Sequence, residues 1–341
     1  MRSNFKKATL LDVARRANVD PSVVSRVLNG DPALKIRETT RERILRTAQE
    51  LGYRPNAIAR SLRTARAGAY GLLIPDFANP IYSLVIKGAE AAATAQRCVL
   101  LTGSVGRYLQ GYFDLLGEGR IDGLLVADAR AGESLAHSLD SLGLPWILLN
   151  QRIPSVKRYV ILDDEAAAKL AVRHLIDLGH RSIAHIAGPA DADTARRRLE
   201  GYLQSLREEG LDPDPRWVVT ADFTYYGGAV ALRQLHELEH RPTAVFVANV
   251  ASAIGALHAA KELGWQVPAE LSVVTIHDVP LVEYLDPPLT TVKTPLEELG
   301  KRGLELLSSL PADAVIHEMI REPMQLVIRG SSGPLRRRRY E

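Results

Sequence analysis

The 341-residue chain is 46% hydrophobic and 24% charged, with one cysteine and a net charge of +3. That length suits about two domains plus a small module with a sizeable core, and a lone cysteine excludes an internal disulfide framework. The N-terminal stretch MRSNFKKATLLDVARR has no apolar run fit for export, and no run of ~18 apolar residues occurs anywhere, so a soluble, cytoplasmic protein with no membrane role is expected.

Charge is distributed unevenly. Met1 to Arg66 carries 15 Lys and Arg against 6 Asp and Glu, which leaves a net −6 for everything after it. A basic N-terminal segment that meets phosphates, followed by a body that does not, is the expected organisation. Within it, TLLDVARRANVDPSVVSRVLN places Leu10, Val13, Ala14 and Ala17 on one helical face, and Val19, Val23, Val24, Val27 and Leu28 continue that face after a break. Asn18 tolerates the left-handed conformation, Asp20 is an N-cap acceptor and Pro21 suits the first helical position, so one helix stops and another starts within four residues. This is the pattern of a helix-turn-helix whose second helix enters the major groove. A third helix is expected to be capped by Thr40, to bury Ile44, Leu45, Ala48 and Leu51, and to end at Gly52.

Next, AIARSLRTARAG spaces Ile58 and Leu62 four apart among Arg60, Arg63 and Arg66. Read alone, this segment fits a flexible basic linker as well as a helix that orders on DNA. From Tyr70 onward nine short apolar runs, YGLLIP, CVLLTG, GLLVAD, WILLN, YVILD, IAHIAG, WVVTA, AVFVAN and SVVTIH, alternate with stretches at helical spacing. Such alternation predicts parallel sheets covered on both faces, and nine strands are better split into two sheets, with ligand bound in the cleft between lobes. Cys98, within an apolar run, reads as a small core hydrophobe.

Catalysis is not expected. No GxGxxG or GxxxxGK[ST] occurs, and TGSVG at Thr102 to Gly106 is too short to cradle phosphate. His185 lies in an apolar strand, where a satisfied core histidine is the expected role, and His180 sits in a turn, so neither suggests a metal ligand. Asp164, at a strand end before AAAKLAVRHL, reads as a helix cap rather than a catalytic acid. No catalytic residue, metal site or cofactor is assigned.

The motifs TLLDVARRA, VVSRVLN, LGYRPNAIARSL, LGHRSIAHIAG, PTAVFVAN and PPLTTVK, in this order, resemble the lactose repressor and galactose repressor (LacI/GalR) family of bacterial transcription regulators. The resemblance implies an all-α helix-turn-helix module plus an α/β periplasmic-binding-protein-like domain of two doubly wound parallel-sheet lobes. Its implied boundaries are a DNA-binding domain at 1–54, a hinge helix at 55–66, a two-lobed effector-binding and dimerisation domain at 67–330 with crossovers near Asp163, Thr291 and Glu322, and a basic tail at 331–341.

On the DNA side the resemblance implies Pro21, Ser22 and Arg26 at base-reading positions. Thr9, Val23, Ser25 and Asn29 stand beside them, Asn56, Ala59 and Arg63 lie in the hinge, and Leu62 is the apolar wedge that opens the minor groove. Around the cleft it places Tyr82, Asn150, Arg198, Phe223, Asn249 and His277. Where the family has a ligand-gripping Asp this chain has His277, and its usual Asn-Asp pair is Asn249-Val250. Arg198 with His277 therefore suggests an acidic effector or an atypical sugar, while Arg196 and Arg197 read as a solvated charge run. The partners implied are a double-stranded operator, a small-molecule effector and a second copy of the chain in a homodimer. A homotetramer lacks its leucine heptad, and Arg336 to Arg339 read as a solvated end. The function expected is a sequence-specific, effector-modulated DNA-binding repressor in the cytoplasm, associated with the nucleoid. The rival is a sugar-binding or transport component, or a regulator with a degenerate pocket.

Overall fold

A computed structural model describes residues 8–53, 66–105, 117–127, 132–141, 143, 145–309, 311 and 314–335. The chain divides into two compact units, Met1–Ala67 and Gly68–Glu341. The hinge residues Asn56, Ala59, Leu62 and Arg63, and the basic tail Arg336 to Arg339, lie outside the described residues.

The first unit is helical among its described residues. Helix α1 (Leu10–Ala17) starts at Thr9, whose hydroxyl and main chain exchange hydrogen bonds with Asp12 in a reciprocal cap, and stops at Asn18, left-handed at φ 47°. Asp20 then caps α2 (Pro21–Leu28), accepting from the Ser22 amide at 2.7 Å, with Pro21 at the first helical position. Helix α3 (Glu38–Glu50) begins before Thr40: its N-cap is Arg37, which makes no side-chain cap bond, and Glu38 in the first turn suits the helix dipole instead. Gly52 follows the helix at φ +60°. Val13, Ala14, Ala17, Val24, Val27, Ile44 and Ala48 meet in one core.

The second unit contains two six-stranded sheets. The first joins β1 (Ala69–Ile74), β2 (Val99–Ser104), β3 (Leu124–Val126), β4 (Trp146–Leu149), β5 (Arg158–Leu162) and β11 (Ile316–Ile320) in the order β11-β5-β4-β3-β1-β2, every neighbouring pair parallel. The second joins β6 (Ile183–Ala187), β7 (Val218–Thr220), β8 (Ala244–Val247), β9 (Ser272–Ile276), β10 (Thr290–Lys293) and β12 (Gln325–Val327) in the order β12-β10-β9-β8-β6-β7. Here β12 runs antiparallel to β10, a departure from the all-parallel expectation.

Both sheets are covered on both faces, which is why their strands read as unbroken apolar runs. In the first sheet Leu72 and Ile74 enter one core and Leu73 the other, following the period of two. The run at β2 is the exception. It forms an edge, and its Val99 and Leu101 are 59% and 48% exposed. Cys98, half-buried, packs against the first lobe's core.

The chain passes between the sheets three times: from β5 into helix α6 (Asp164–Asp177), from β10 into the helix Leu296–Ser309, and from β11 to β12. Thr291 lies within β10, so the second passage comes a few residues later than expected. Strands β10 to β12 were absent from the nine predicted, and β4 reaches its parallel neighbour β5 through residues 150–157 without a helix.

Close helix packing sets some glycines. Helices α8 (Tyr225–His236) and α9 (Val250–Glu262) approach so tightly that a Cβ on Gly255 would overlap the Tyr225 carbonyl, and one on Gly228 the Ser252 carbonyl. Main-chain atoms cannot rotate away. Gly255→Ala is therefore expected to destabilise the unit by about 2 kcal/mol despite alanine's better helix propensity. A urea midpoint equal to or above the parent's refutes this.

Candidate functional site

On the helical unit, α2 presents two faces. Val24 and Val27 are buried in the core, while Ser22, Arg26 and Asn29, spaced four and three apart, are exposed on the opposite side. Pro21 and Ser25 are half-buried at its margin, and Val23, also half-buried, packs against the core. Asn29 closes the helix by donating Nδ2 to the Ser25 carbonyl at 2.6 Å. Arg26 Nε lies 2.7 Å from Asp31 Oδ2 with both side chains substantially solvated, a weak pair that aims the guanidinium without holding it against a phosphate or a base. Thr9, exposed, caps α1.

In the α/β unit, a cavity of about 50 Å³ lies between the lobes. Five of the six expected residues line it: Tyr82, Asn150, Arg198, Phe223 and Asn249. Asn79 and Thr194 add polar groups, and Ile81, Val85, Ala127, Leu149, Leu296 and Leu299 form an apolar wall. Two of these backbones are left-handed, Asn150 at φ 54° and Phe223 at φ 66°, each just beyond the carboxyl end of a strand. Such conformations are costly for a phenylalanine and collect at functional sites. The Phe223 carbonyl accepts from Asn249 Nδ2 at 3.0 Å, while Asn249 Oδ1 caps α9 through the Ser252 amide. Gly188 has no room for a Cβ because the Phe223 ring lies against it.

His277 does not line the cavity. It is fully buried, with φ 75°, behind Arg198. Arg198 Nη2 donates to its Nε2 at 3.0 Å, and arginine cannot accept, so His277 carries its proton on Nδ1 and donates to Thr294 Oγ1 at 2.7 Å. Burial, followed by the nearby Arg198 charge, lowers its pKa to about 3, so it is neutral. A cationic imidazole for an acidic ligand is therefore missing.

Helix α7 (Asp193–Glu208) carries the rest of the network. Arg198 Nε donates to Asp164 Oδ1 at 2.8 Å and Nη1 to the Ala248 carbonyl at 2.9 Å. Arg197 is buried and not a solvated neighbour. Its Nε bonds Asp193 at 2.9 Å and its Nη1 the Leu162 carbonyl at 2.7 Å. The same Nη1 lies 2.7 Å from Asp164 Oδ2, but off axis, so Oδ2 gains charge pairing without a hydrogen bond. Burial alone would raise the Asp164 pKa, yet Arg198 and then Arg197 outweigh it and hold the carboxylate ionised. Asp164 is thus not the helix cap: Asp163 takes that role, accepting from the Ala166 amide.

The lobes also touch directly. Arg152, beyond β4, bonds Asp193 with its main-chain amide at 3.1 Å and with its guanidinium, and Tyr225 Oη donates to the Ala78 carbonyl at 3.1 Å. Ile81 and Leu84 pack against the cores of both lobes. Sequence reasoning missed Asp193, Thr194 and the buried, paired state of Arg197. A readable signal existed, since Asp193 with Arg197 and Thr194 with Arg198 are i,i+4 pairs on adjoining stripes of one helix.

Nothing among the described residues forms a catalytic or metal constellation. His180 bonds Thr243, Ser272 and Gly333, and His185 is stacked between Tyr202 and Phe246 with Nδ1 on the Phe246 carbonyl. No cluster of metal-ligating side chains occurs among the described residues, and no described helix is long and apolar enough to cross a membrane.

Comparison with known proteins places both units. Residues 9–56 match the bacterial regulatory proteins of the lacI family, and residues 172–332 match the periplasmic binding protein-like domain. The chain is 33% identical over 334 residues to the HTH-type transcriptional repressor CytR of Escherichia coli (strain K12), covering 96% of this chain and 97% of that one. It is 33% identical over 305 residues to the HTH-type transcriptional repressor PurR of Vibrio atlanticus (strain LGP32), covering 88% and 91%. Among solved structures, a lac repressor dimer bound to operator and the anti-inducer ONPF aligns at TM-score 0.81 and 27% identity, covering 96% of this chain and 100% of that one. A CelR–cellobiose complex aligns at TM-score 0.72 and 29% identity, covering 95% and 100%. With a helix-turn-helix unit and a two-lobed α/β unit matched over nearly the whole length, the chain belongs to the lacI family of bacterial regulatory proteins, as a DNA-binding transcription regulator and not an enzyme.

Proposed function

We propose that the chain represses transcription in the cytoplasm as a homodimer on a pseudo-palindromic operator in nucleoid DNA, with operator affinity set by a small molecule in the interlobe cleft. The observation that carries this is the two-sided α2 helix: Ser22, Arg26 and Asn29 are exposed on one side because Val24 and Val27 are committed to the core on the other. Ser22 and Arg26 read base edges in the major groove, Thr9, Ser25 and Asn29 position the helix on the backbone, and the hinge residues Asn56, Ala59, Leu62 and Arg63 engage the minor groove at the operator centre. Two copies pair so that each reads a half-site. The exposed Val99 and Leu101 on the edge strand β2 support a surface that a second copy covers. Ligand acts by shifting the lobes between closures that the interlobe contacts of Arg152, Arg197 and Tyr225 distinguish.

Selection of bound duplexes from a random pool, at stated salt, tests the reading. A pseudo-palindromic site is expected. Arg26→Ala should weaken its binding by about 2 kcal/mol and relax the preference at one position in each half-site, and Leu62→Ala should reduce discrimination at the central step. Failure to enrich any sequence, or a motif indifferent to Arg26→Ala, refutes it.

A further inference from the structure

The cavity's polar groups are biased in one direction. Among the described residues no carboxylate lines it: Asp164 is turned onto Arg198 and Arg197, and Asp193 onto Arg197 and Arg152. The side-chain oxygens of Asn79, Asn150 and Asn249 each already accept a main-chain amide, from Ile81, Leu162 and Ser252 in turn. What the amides offer without sharing an acceptor already in use is N–H. The Nδ2 groups of Asn79 and Asn150 make no hydrogen bond among the described residues, and Asn249 Nδ2 uses one hydrogen, on the Phe223 carbonyl. Thr194 is 5% exposed, lines the cavity, and its hydroxyl makes no hydrogen bond among the described residues. With no partner among the described residues and a place in the cavity lining, this hydroxyl is open to a hydrogen bond from a ligand.

Charge is balanced inside the network. Arg197 and Arg198, both buried, face Asp164 and Asp193, and the surplus positive charge rests on Arg152 and Arg196, which reach solvent. His277 adds no charge. Arg198 can still offer a hydrogen bond, but an anion there would compete with Asp164 for a guanidinium already neutralised. A ring of hydroxyls fares no better, because each hydroxyl brings a donor and the carboxylates of Asp164 and Asp193, the strongest acceptors nearby among the described residues, are turned onto arginines.

Resting on the reading of this cleft as the effector site, we propose that it takes an uncharged compound whose polar atoms are chiefly acceptors and whose flat face is apolar, a cyclic amide, imide or lactone, in preference to a polyhydroxylated sugar or an anion. Thr194 Oγ1 and the Asn150 amide donate to its carbonyl oxygens, and the wall of Leu149, Leu296 and Leu299 covers its face. Phe223 and residues of both lobes line the cavity, so occupancy and lobe closure bear on the same side chains.

The test is saturation-transfer NMR of the full chain with glutarimide and δ-valerolactam, set against ribose and ribose 5-phosphate at equal millimolar concentrations. Glutarimide or δ-valerolactam is expected to bind where the sugar and its phosphate do not. Thr194→Val, which breaks no internal hydrogen bond and so keeps the parent melting temperature, should weaken that binding about tenfold, the worth of one hydrogen bond. Binding by ribose or its phosphate but by neither ring amide overturns the proposal, as does no binding by either ring amide, or ring-amide binding untouched by Thr194→Val. Binding of the selected duplex, measured on the same preparation without probe, reports on the regulator reading separately. Ring-amide binding without DNA binding would support the ligand class and sink the repressor.

Discussion

Asp164→Ala is expected to destabilise the α/β unit by about 4 kcal/mol, the largest effect of any single substitution considered for this chain. The carboxylate is 1% exposed and lies between two guanidiniums that are themselves buried. Removing it leaves Arg197 with Asp193 as its remaining carboxylate and Arg198 with the Ala248 carbonyl and a neutral His277, so at least one positive charge stays buried without a counter-ion. The cost comes from that stranded charge, since an intact buried pair adds little net stability. Trp146, Trp217 and Trp265 are the chain's three tryptophans and all lie in the α/β unit, so their fluorescence in urea reports on this unit and not on the helical one. Asp164→Ala combined with Arg198→Met should recover part of the loss, because the unpaired guanidinium goes with the carboxylate. A midpoint for Asp164→Ala within experimental error of the parent would show that the arginines find other partners.

Mild acid is the second large lever. His277 and His185 are fully buried and held neutral, with pKa values lowered to about 3 and about 4 from an ordinary 6.5, in both cases by burial first. The unfolded chain takes up protons as pH falls through 6.5 whereas the folded chain refuses them until pH 4 or below, so over that window the unfolded state binds more protons and stability falls as pH falls. At about pH 5 the two histidines together remove on the order of 4 kcal/mol relative to neutral pH. Protonation would find no outlet at either ring. His277 Nε2 already receives an Arg198 N–H, and His185 Nε2 is buried without a partner among the described residues. Urea midpoints that fall steeply between about pH 7 and about pH 5, and less steeply in His185→Leu, are the expected result. Flat midpoints across that range would mean that both rings reach water in the native state.

Much of the helical unit was legible because its signals are local. Thr9 with Asp12, the left-handed Asn18, and Asp20 ahead of Pro21 each act within one turn of the chain. No distant residue can cancel them. Thr40 misled for the same reason: a good cap three residues inside a helix has no orphan amides left to serve, and Glu38 began the helix earlier. In the α/β unit the long apolar runs announced their strands. Strand β11, IHEMI, with buried Ile316 and Ile320 flanking half-exposed or exposed residues, lacks that signal because it lies at a sheet edge. Strand β12, also at an edge, is only three residues long.

By itself the sequence determined the two-unit organisation, the turn chemistry of the reading helix and the alternating α/β pattern, because these depend on neighbours in the chain and on simple periodicity. Of the six residues that the resemblance places around the cleft, five line the interlobe cavity. Only the tertiary structure decided what their charges do. Arg196, Arg197 and Arg198 are consecutive on one helix, about 100° apart around its axis, and which of them meets a buried carboxylate depends on where α6 carries Asp164. Whether His277 faces ligand or protein depends likewise on Arg198 and Thr294, which are far from it in sequence for one and across a strand for the other. Charge and protonation in a cleft follow from burial and from partners brought together by the fold, and neither quantity is carried by a residue's identity or spacing.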